Sequence, residues 1–207
     1  MVKTILYGQG SLWLCDYMAA EAKLVIYTIG HSTRTLEEFV ELLNKYSITL
    51  VADVRTAPYS RHNPQFNKEN LPKNLKPIRY THIPEIGGLR RPKRDSINLA
   101  LKNSGFRGYA DHMQTKEFSD GLLKLITLAN ENILGVMCAE ALPWGCHRSL
   151  LSDALVARNI KVLHIINKTD SISHQLGDLA HLDGKKITYP LYSKELPQRT
   201  LNDFATI

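Results

Sequence analysis

The sequence predicts an α/β fold, a three-layer sandwich built on a mostly parallel sheet of about five strands. Two observations support this prediction. Short apolar runs alternate along the chain with segments whose apolar residues recur at helical spacing. Strands that alternate with helices favour parallel pairing through right-handed crossovers, with helices covering both faces of the sheet. The count of units is too low for a closed eight-unit barrel.

The predicted strands are short runs rich in β-branched, aromatic and other apolar residues, and each is followed by Gly, Pro or polar residues. In chain order, they cover residues 24–29, 49–54, 78–83, 133–137 and 161–166. Runs of this length are typical of the buried strands of a parallel sheet.

The helices are predicted from apolar residues that recur at i, i+3, i+4 and i+7. The first is the clearest, because Thr35 and Glu38 form a capping box just before the apolar positions between Leu36 and Leu43. Further helices are predicted at residues 115–130 and 149–158 on the same grounds.

Other segments have weaker signals. Residues 58–77 are rich in Pro and Asn and predict a loop, with a short helix near 68–75. Residues 106–111 predict irregular structure. After the fifth strand we expect a short helix at 171–180 and a brief strand at 186–191.

The composition describes one domain of ordinary size. We expect residues 24–207 to form it and residues 1–23 to be an N-terminal extension. Lys and Arg exceed Asp and Glu by 26 to 20 in 207 residues, which favours phosphate-bearing partners, although a merely soluble basic surface is the alternative. Three cysteines without a paired framework, at Cys15, Cys138 and Cys146, indicate a reducing cytoplasm. No apolar run is long enough for a membrane span.

Polar residues are concentrated at the predicted carboxyl ends of the strands, the edge at which open parallel sheets bind ligands. They are His31 and Ser32, Asp53 and Arg55, His82 and Glu85, Cys138 and Glu140, and Cys146, His147 and Arg148. This convergence predicts one shared site, a positively charged hollow.

Two of these residues are candidates for proton transfer. Glu140 near the apolar Trp144 could act as a general acid or base. Its alternative role is a salt bridge to Arg148 or Arg55. His31 could act as a base or a nucleophile, or only bond a neighbouring backbone group.

Cys146 is the candidate nucleophile, since a helix start together with His147 and Arg148 would favour its thiolate. Arg55, Arg61 and Arg148 are expected to bind an anionic substrate through paired N–H donors, with an ordinary surface ion pair as the alternative, which applies more to Arg61 and less to Arg148. Cys138 is expected to be a small buried core residue.

A metal site is the third possibility for these side chains. Cys138, Cys146, His147 and His31 are suitable zinc or iron ligands. However, no Cys-x-x-Cys or His-x-x-x-His pair supports such a site. We therefore assign no metal ligand from the sequence and leave the cofactor open.

Several motifs, taken together, resemble the DUF488 family, a domain family of unknown function. They are Tyr27-Thr28-Ile29-Gly30-His31-Ser32, Asp53-Val54-Arg55, Pro58-x-Ser60, Pro64-x-Phe66, Tyr80-x-His82, Gly87-Gly88, Phe106 to Tyr109, Cys138-Ala139-Glu140 and Cys146-His147-Arg148. The resemblance covers roughly residues 24–166 and leaves residues 1–23 outside it. It points to the same site residues, and besides Arg55 and Arg148 we assign Ser32, Asp53, Ser60, His82 and His147 to substrate binding. It implies no settled reaction.

Three functions fit these observations. The first is a hydrolase or group transferase acting on a phosphate-bearing nucleotide, nucleic acid or other anionic substrate. The second is a non-catalytic nucleic-acid-binding module that uses the basic residues of 90–94. The third is a ligand sensor with the same pocket and no turnover. No membrane partner is expected, and the oligomeric state is left open.

Overall fold

The computed structural model describes residues 24–191, so the predicted extension at 1–23 lies outside the described residues. The helices are α1 Leu36–Lys45, α2 Leu71–Asn74, α3 Ser104–His112, α4 Lys116–Glu131 and α5 Arg148–Val156. The strands are β1 Val25–Gly30, β2 Leu50–Asp53, β3 Arg79–His82, β4 Leu134–Cys138, β5 Lys161–Ile165, β6 Ser171–Ser173, β7 His181–Asp183 and β8 Lys186–Thr188.

A six-stranded sheet in the order β3-β2-β4-β1-β5-β6 forms the centre of the fold. The first five of these strands are parallel, and β6 pairs antiparallel with β5 at one edge. Strands β7 and β8 form a separate antiparallel pair. The predicted three-layer α/β fold with a mostly parallel sheet is confirmed, and its sheet has one antiparallel strand more than the sequence predicted.

Two apolar cores cover the two faces of the sheet. One core joins helices α3, α4 and α5 to the sheet, and the other joins α1 and α2 to the opposite face. Along β4, Val136 and Cys138 belong to the first core, whereas Met137 between them belongs to the second. This alternation is the two-residue period of a strand, and it directs the Cys138 side chain toward α5.

Helix α1 begins as the sequence predicts. Glu38 N donates to Thr35 Oγ1 at 3.2 Å, and Thr35 N donates to Glu38 Oε2 at 2.9 Å, which completes the capping box. The helix then buries Phe39, Leu42 and Leu43 against the sheet. Helix α4 is similarly close to its prediction, with Thr115 as its N-cap. No helix within residues 24–191 combines the length and apolarity needed to span a bilayer.

The prediction of irregular structure at 106–111 is wrong, because these residues lie within helix α3. Asn103 caps the helix by accepting from the N–H groups of Gly105 and Phe106. Two glycines weaken the helix signal in the sequence. Gly108 is required by packing, since a Cβ there would lie 2.4 Å from the Arg90 carbonyl oxygen.

The prediction of a helix at 171–180 is also wrong. Residues 171–173 form β6, and the segment that follows is bound to helix α5. His174 Nε2 donates to Asp153 Oδ1 at 2.9 Å, and Gly177 N donates to the same oxygen at 3.0 Å. Pairing with the free edge of β5 therefore outweighs the helix-like spacing of Ile172, Leu176 and Leu179.

Candidate active site

The parallel strands β1, β2 and β4 end together at one edge of the sheet. Gly30 is paired with Cys138, and Asp53 with Met137, so the loops that follow these strands start side by side. His31 N and Ser32 N then donate to the carbonyls of Cys138 and Ala139 at 3.0 and 2.8 Å. The strand ends are thus joined by backbone hydrogen bonds, which form a rigid floor for the loops above.

The larger of two cavities at this edge has a volume of about 450 Å³. Its lining combines the strand-end residues with residues of the β2 and β3 loops and of the start of α3. The lining residues are Arg55, Thr56, Ala57, Gly88, Leu89, Asn103, Gly105, Phe106, Cys138, Ala139, Glu140, Gly145, Cys146 and His147. Four predicted site residues therefore line one cavity, together with Cys138.

A smaller cavity of about 320 Å³ lies beside it. His31, Ser32 and Ser60 line this second cavity, and Arg55 lines both. Ser32 has a φ of 48°, the left-handed region that few non-glycine residues adopt. Ser60 Oγ accepts from Asn63 N at 3.0 Å. The predicted site residues that reach this edge therefore line two adjoining cavities, which share Arg55, Ala57 and Ala139.

Asp53 and His82 line neither cavity, and they instead hold Arg55 in place. The buried carboxylate of Asp53 accepts from Arg55 Nε at 2.9 Å and from Nη2 at 2.6 Å, and it also accepts from the Tyr80 hydroxyl at 2.9 Å. His82 Nε2 donates to the Arg55 carbonyl at 2.8 Å. These two predicted substrate-binding residues occupy positions behind the cavity wall, where they orient Arg55.

Arg148 is also outside both cavities and is only 1% exposed. Its Nη2 donates to the Glu140 carbonyl at 2.5 Å and to the Ala141 carbonyl at 3.4 Å, and its Nη1 donates to Thr28 Oγ1 at 3.5 Å. Within residues 24–191, its Nε has no hydrogen-bond partner. The guanidinium therefore stabilises the loop that follows β4 by donating to two of its backbone carbonyls.

His31 is buried and has a partner at each ring nitrogen. Nδ1 donates to the Ser32 carbonyl at 2.9 Å, so Nε2 is left to accept from Arg55 Nη1 at 3.3 Å. The ring stacks on Phe66 with 4.4 Å between centroids. Burial lowers the pKa of His31 to about 4, so the imidazole is neutral near pH 7.

Cys138, Cys146 and His147 form a compact cluster in the wall of the larger cavity. His147 Nδ1 lies 3.5 Å from the Cys146 sulfur and 3.8 Å from the Cys138 sulfur. His147 Nε2 lies 3.1 Å from the Val54 carbonyl oxygen. A carbonyl only accepts, so Nε2 donates this hydrogen bond, and in that tautomer Nδ1 directs its lone pair toward the two sulfurs.

The two sulfurs of this cluster differ in acidity. The hydrogen-bonding interaction with the Cys138 thiol, with a smaller contribution from the nearby charge of Arg148, holds the pKa of Cys146 well below its usual range. The same interaction with Cys146, together with burial, raises the pKa of Cys138. Cys146 is therefore the more acidic sulfur of the pair, and Cys138 is the less acidic one.

Glu140 is exposed and opens into the larger cavity. Arg148 binds its carbonyl oxygen, and within residues 24–191 the carboxylate forms no ion pair with Arg148 or Arg55. The loop carrying Glu140 crosses directly over Gly30, where a Cβ would lie 1.7 Å from the Glu140 carbonyl oxygen. Glycine at position 30 is therefore required for the site to close in this way.

Helix α3 contributes cavity residues that were not expected in the site from the sequence. Phe106 and Asn103 line the larger cavity. Tyr109 is buried behind it, with its ring centroid 5.1 Å from that of His147. The apolar spacing of Phe106, Tyr109, Ala110 and Met113 is that of a helix face, and it was the available signal for this element.

The chain matches a family model described as "Domain of unknown function DUF488" over residues 35–155. That match spans more than half of the chain and includes most of the residues lining both cavities. The chain belongs to the DUF488 family. The resemblance seen in the sequence is thereby confirmed. Comparisons of this DUF488 chain with curated proteins and with solved structures find no significant match.

Proposed function

We propose that this DUF488 protein is an enzyme that hydrolyses, or transfers a group from, a small anionic substrate bound in the larger cavity. The observation that carries the proposal is the cluster of Cys138, Cys146 and His147 in the wall of a cavity that also contains an exposed carboxylate, Glu140. A reactive electron-pair donor and a proton-transfer group that share one concave site are the usual components of a hydrolytic centre.

The roles of these residues follow from their surroundings. The Cys138–Cys146–His147 cluster is the reactive centre, because Nδ1 of the imidazole lies 3.5 and 3.8 Å from the two sulfurs and all three residues line the cavity. Glu140 exchanges a proton with bulk water and with the bound substrate, since its carboxylate has access to both. His31 is buried with both ring nitrogens engaged, which favours a positioning role for it beside Arg55.

The support for an anionic substrate comes from Arg55 and from the net charge of the chain. Within residues 24–191, four of the five Arg55 N–H donors are used by Asp53, Phe66 and His31, which leaves one Nη1 donor at a residue that lines both cavities. The formal net charge of +6 also favours anions. Arg148 adds charge nearby, but its N–H groups serve the protein backbone.

The proposal is tested by phosphorus NMR with 4-nitrophenyl phosphate, bis(4-nitrophenyl) phosphate and a set of nucleotides as probes. We expect turnover that falls by at least about a hundredfold in Glu140→Gln and in Cys146→Ser. Glu131→Gln is the matched control, since Glu131 is exposed at the end of α4, far from the carboxyl edge. Turnover that survives in both site variants would assign the activity elsewhere, and no turnover of any probe would count against an enzyme.

The second candidate is a nucleic-acid-binding module. Arg91, Lys93 and Arg94 are exposed in the loop that follows the cavity residue Leu89. This loop is anchored where Arg90 Nε donates to the Gly87 carbonyl at 3.1 Å. Fluorescence anisotropy with labelled oligonucleotides discriminates between the two functions. Pure nucleic-acid binding predicts a steep loss of affinity with salt and no effect of Glu140→Ala.

A further inference from the structure

The cluster of Cys138, Cys146 and His147 has the composition of a transition-metal site. The candidate ligand atoms, two sulfurs and one imidazole nitrogen, all lie within 4.8 Å of one another. The sequence offered no closely spaced ligand pair, because Cys138 and Cys146 are separated by the whole loop after β4. The fold brings the two sulfurs together by closing that loop over Gly30.

The distances in the cluster match the edges of a coordination tetrahedron. With Zn–S bonds of about 2.3 Å and Zn–N bonds of about 2.0–2.1 Å, a sulfur and a nitrogen ligand lie roughly 3.6 Å apart. The two sulfur–nitrogen distances are 3.5 and 3.8 Å. Both sulfur–nitrogen edges are therefore already close to the length that a bound zinc ion requires.

The imidazole is also fixed in the tautomer that a metal requires. His147 Nε2–H donates to the Val54 carbonyl at 3.1 Å, so the unprotonated Nδ1 faces the sulfurs. Metal-binding histidines almost always donate their second ring N–H to a carboxylate or a carbonyl in this way. Gly88 packs directly on the ring, since a Cβ there would lie 2.3 Å from Nδ1, which fixes the position of the imidazole.

From these observations we infer that Cys138, Cys146 and His147 bind one zinc ion, with its fourth coordination position open to the larger cavity. Two sulfurs and one imidazole nitrogen suit zinc and disfavour Mg²⁺ and Ca²⁺, which take oxygen ligands. Two thiolates neutralise the charge of Zn²⁺, which limits the cost of burying the ion beside the sheet.

The open position distinguishes this site from a structural zinc site. Structural sites have four protein ligands, whereas catalytic sites have three and leave one position for water or substrate. Within residues 24–191, the cluster offers three such ligands, and the same three residues line a cavity of about 450 Å³. When bound, zinc would act there as a Lewis acid on an oxygen of water or substrate. Glu140, in the same cavity, would then accept the proton that this oxygen releases.

The inference goes beyond the proposed function and does not depend on it, because zinc binding is measured without turnover. The full-length protein is purified with a phosphine reductant, which keeps both thiols reduced, and titrated with Zn²⁺ against a chromophoric chelator. We expect one zinc ion per chain. Cys138→Ser, Cys146→Ser and His147→Gln should each weaken binding by at least about a hundredfold. Cys15→Ser is the control, and Glu140→Gln should also keep its zinc.

Cobalt titration of the wild-type protein tests the metal site even if one of the variants fails to fold. Co²⁺ in a tetrahedral site with two thiolates gives intense visible bands and sulfur-to-metal charge-transfer absorption. Binding of less than one ion per chain under reducing conditions, or an octahedral cobalt spectrum without charge-transfer bands, would overturn the inference. Unchanged zinc affinity in the His147→Gln variant would overturn the assignment of its ligands.

Discussion

Gly88 lies so close to the ring of His147 that a Cβ on it would stand 2.3 Å from Nδ1 and 2.6 Å from Cγ. The neighbouring chain segment is thus in direct contact with the imidazole whose other nitrogen is bonded to Val54. The contact explains why position 88 is glycine without any need for an unusual backbone conformation. It also provides a way to move His147 without changing any atom of the cluster.

We expect Gly88→Ala to displace the ring and to lower the free energy of unfolding by roughly 1–3 kcal/mol, as overpacking does in a filled interior. Zinc affinity should fall with it, because the Nδ1 lone pair leaves the sulfurs. Gly145→Ala is the control, since a Cβ there meets nothing within 4 Å. Urea unfolding and zinc titration of both variants are the measurements. Equal behaviour of the two variants would show that the Gly88 contact does not constrain the ring.

Arg148→Met should destabilise the protein by roughly 3 kcal/mol, because the partly buried carbonyls of Glu140 and Ala141 lose their charged donor. The measurement is urea unfolding followed by circular dichroism. Arg61→Ala serves as the control, since Arg61 is exposed and a surface change of this kind alters stability by less than about 0.5 kcal/mol. A stable Arg148→Met protein that has lost only phosphate binding would instead support the anion-binding role expected from the sequence.

Asp53→Asn should cost roughly 3–5 kcal/mol, because it leaves the buried Arg55 guanidinium without its counter-charge. The matched control is Asp120→Asn, which breaks an exposed ion pair with Lys116 one turn away on α4 and should cost about 0.5 kcal/mol or less. Denaturant unfolding of the two variants measures the difference. Similar losses in both would mean that the Asp53–Arg55 pair is not a supporting element of the site.

His164 lies in a chain of side-chain hydrogen bonds that runs from Thr28 on β1 to Asp153 on α5. Its Nδ1 lies 2.7 Å from Thr28 Oγ1, and its Nε2 lies 2.9 Å from His174 Nδ1, whose own Nε2 donates to Asp153. Arg148 donates to the same Thr28 hydroxyl. Burial, and then the neighbouring His174, lower the pKa of His164 from 6.5 to about 3.

The unfolded chain therefore binds a proton at His164 between pH 6.5 and 3, where the folded protein does not. Its contribution to stability is complete above pH 6.5 and is lost on acidification, at up to about 1.4 kcal/mol per pH unit. We expect His164→Gln to reduce the slope of unfolding free energy against pH by about one proton. His62→Gln, which changes an exposed histidine, should keep the wild-type slope. An unaltered slope in His164→Gln would contradict the low pKa.

The main elements of the fold were predictable because their signals are local. Helix α1 carries a capping box and an apolar face, and the strand β4 is a short apolar run, so neither needs information from elsewhere in the chain. Helix α3 and strand β6 were not predictable in this way. The glycine Gly108 in α3 is present because the Arg90 backbone crosses it, and β6 forms only because β5 offers it a free edge.

For the candidate site, the sequence identified the strand-end residues but not their arrangement. Asp53 and Arg55 lie two residues apart, yet one is buried behind the cavity and the other lines it. Arg148 and His147 are adjacent in the sequence. Arg148 donates to the Glu140 carbonyl, whereas the Nδ1 atom of His147 faces the two cysteine sulfurs. Which way a side chain points at a strand end depends on the loops that pack around it, and these are contacts distant in the chain.

By itself, the sequence determined the α/β class, most of the strands and helices, and the family, because periodicity and motifs are properties of neighbouring residues. Only the tertiary structure decided that the site residues line two adjoining cavities, that Arg148 supports a loop, and that Cys138 and Cys146 share an imidazole. The parallel pairing of β1 with β4, which ends at Gly30 and Cys138, brings these groups together. It joins two segments that lie more than a hundred residues apart in the chain.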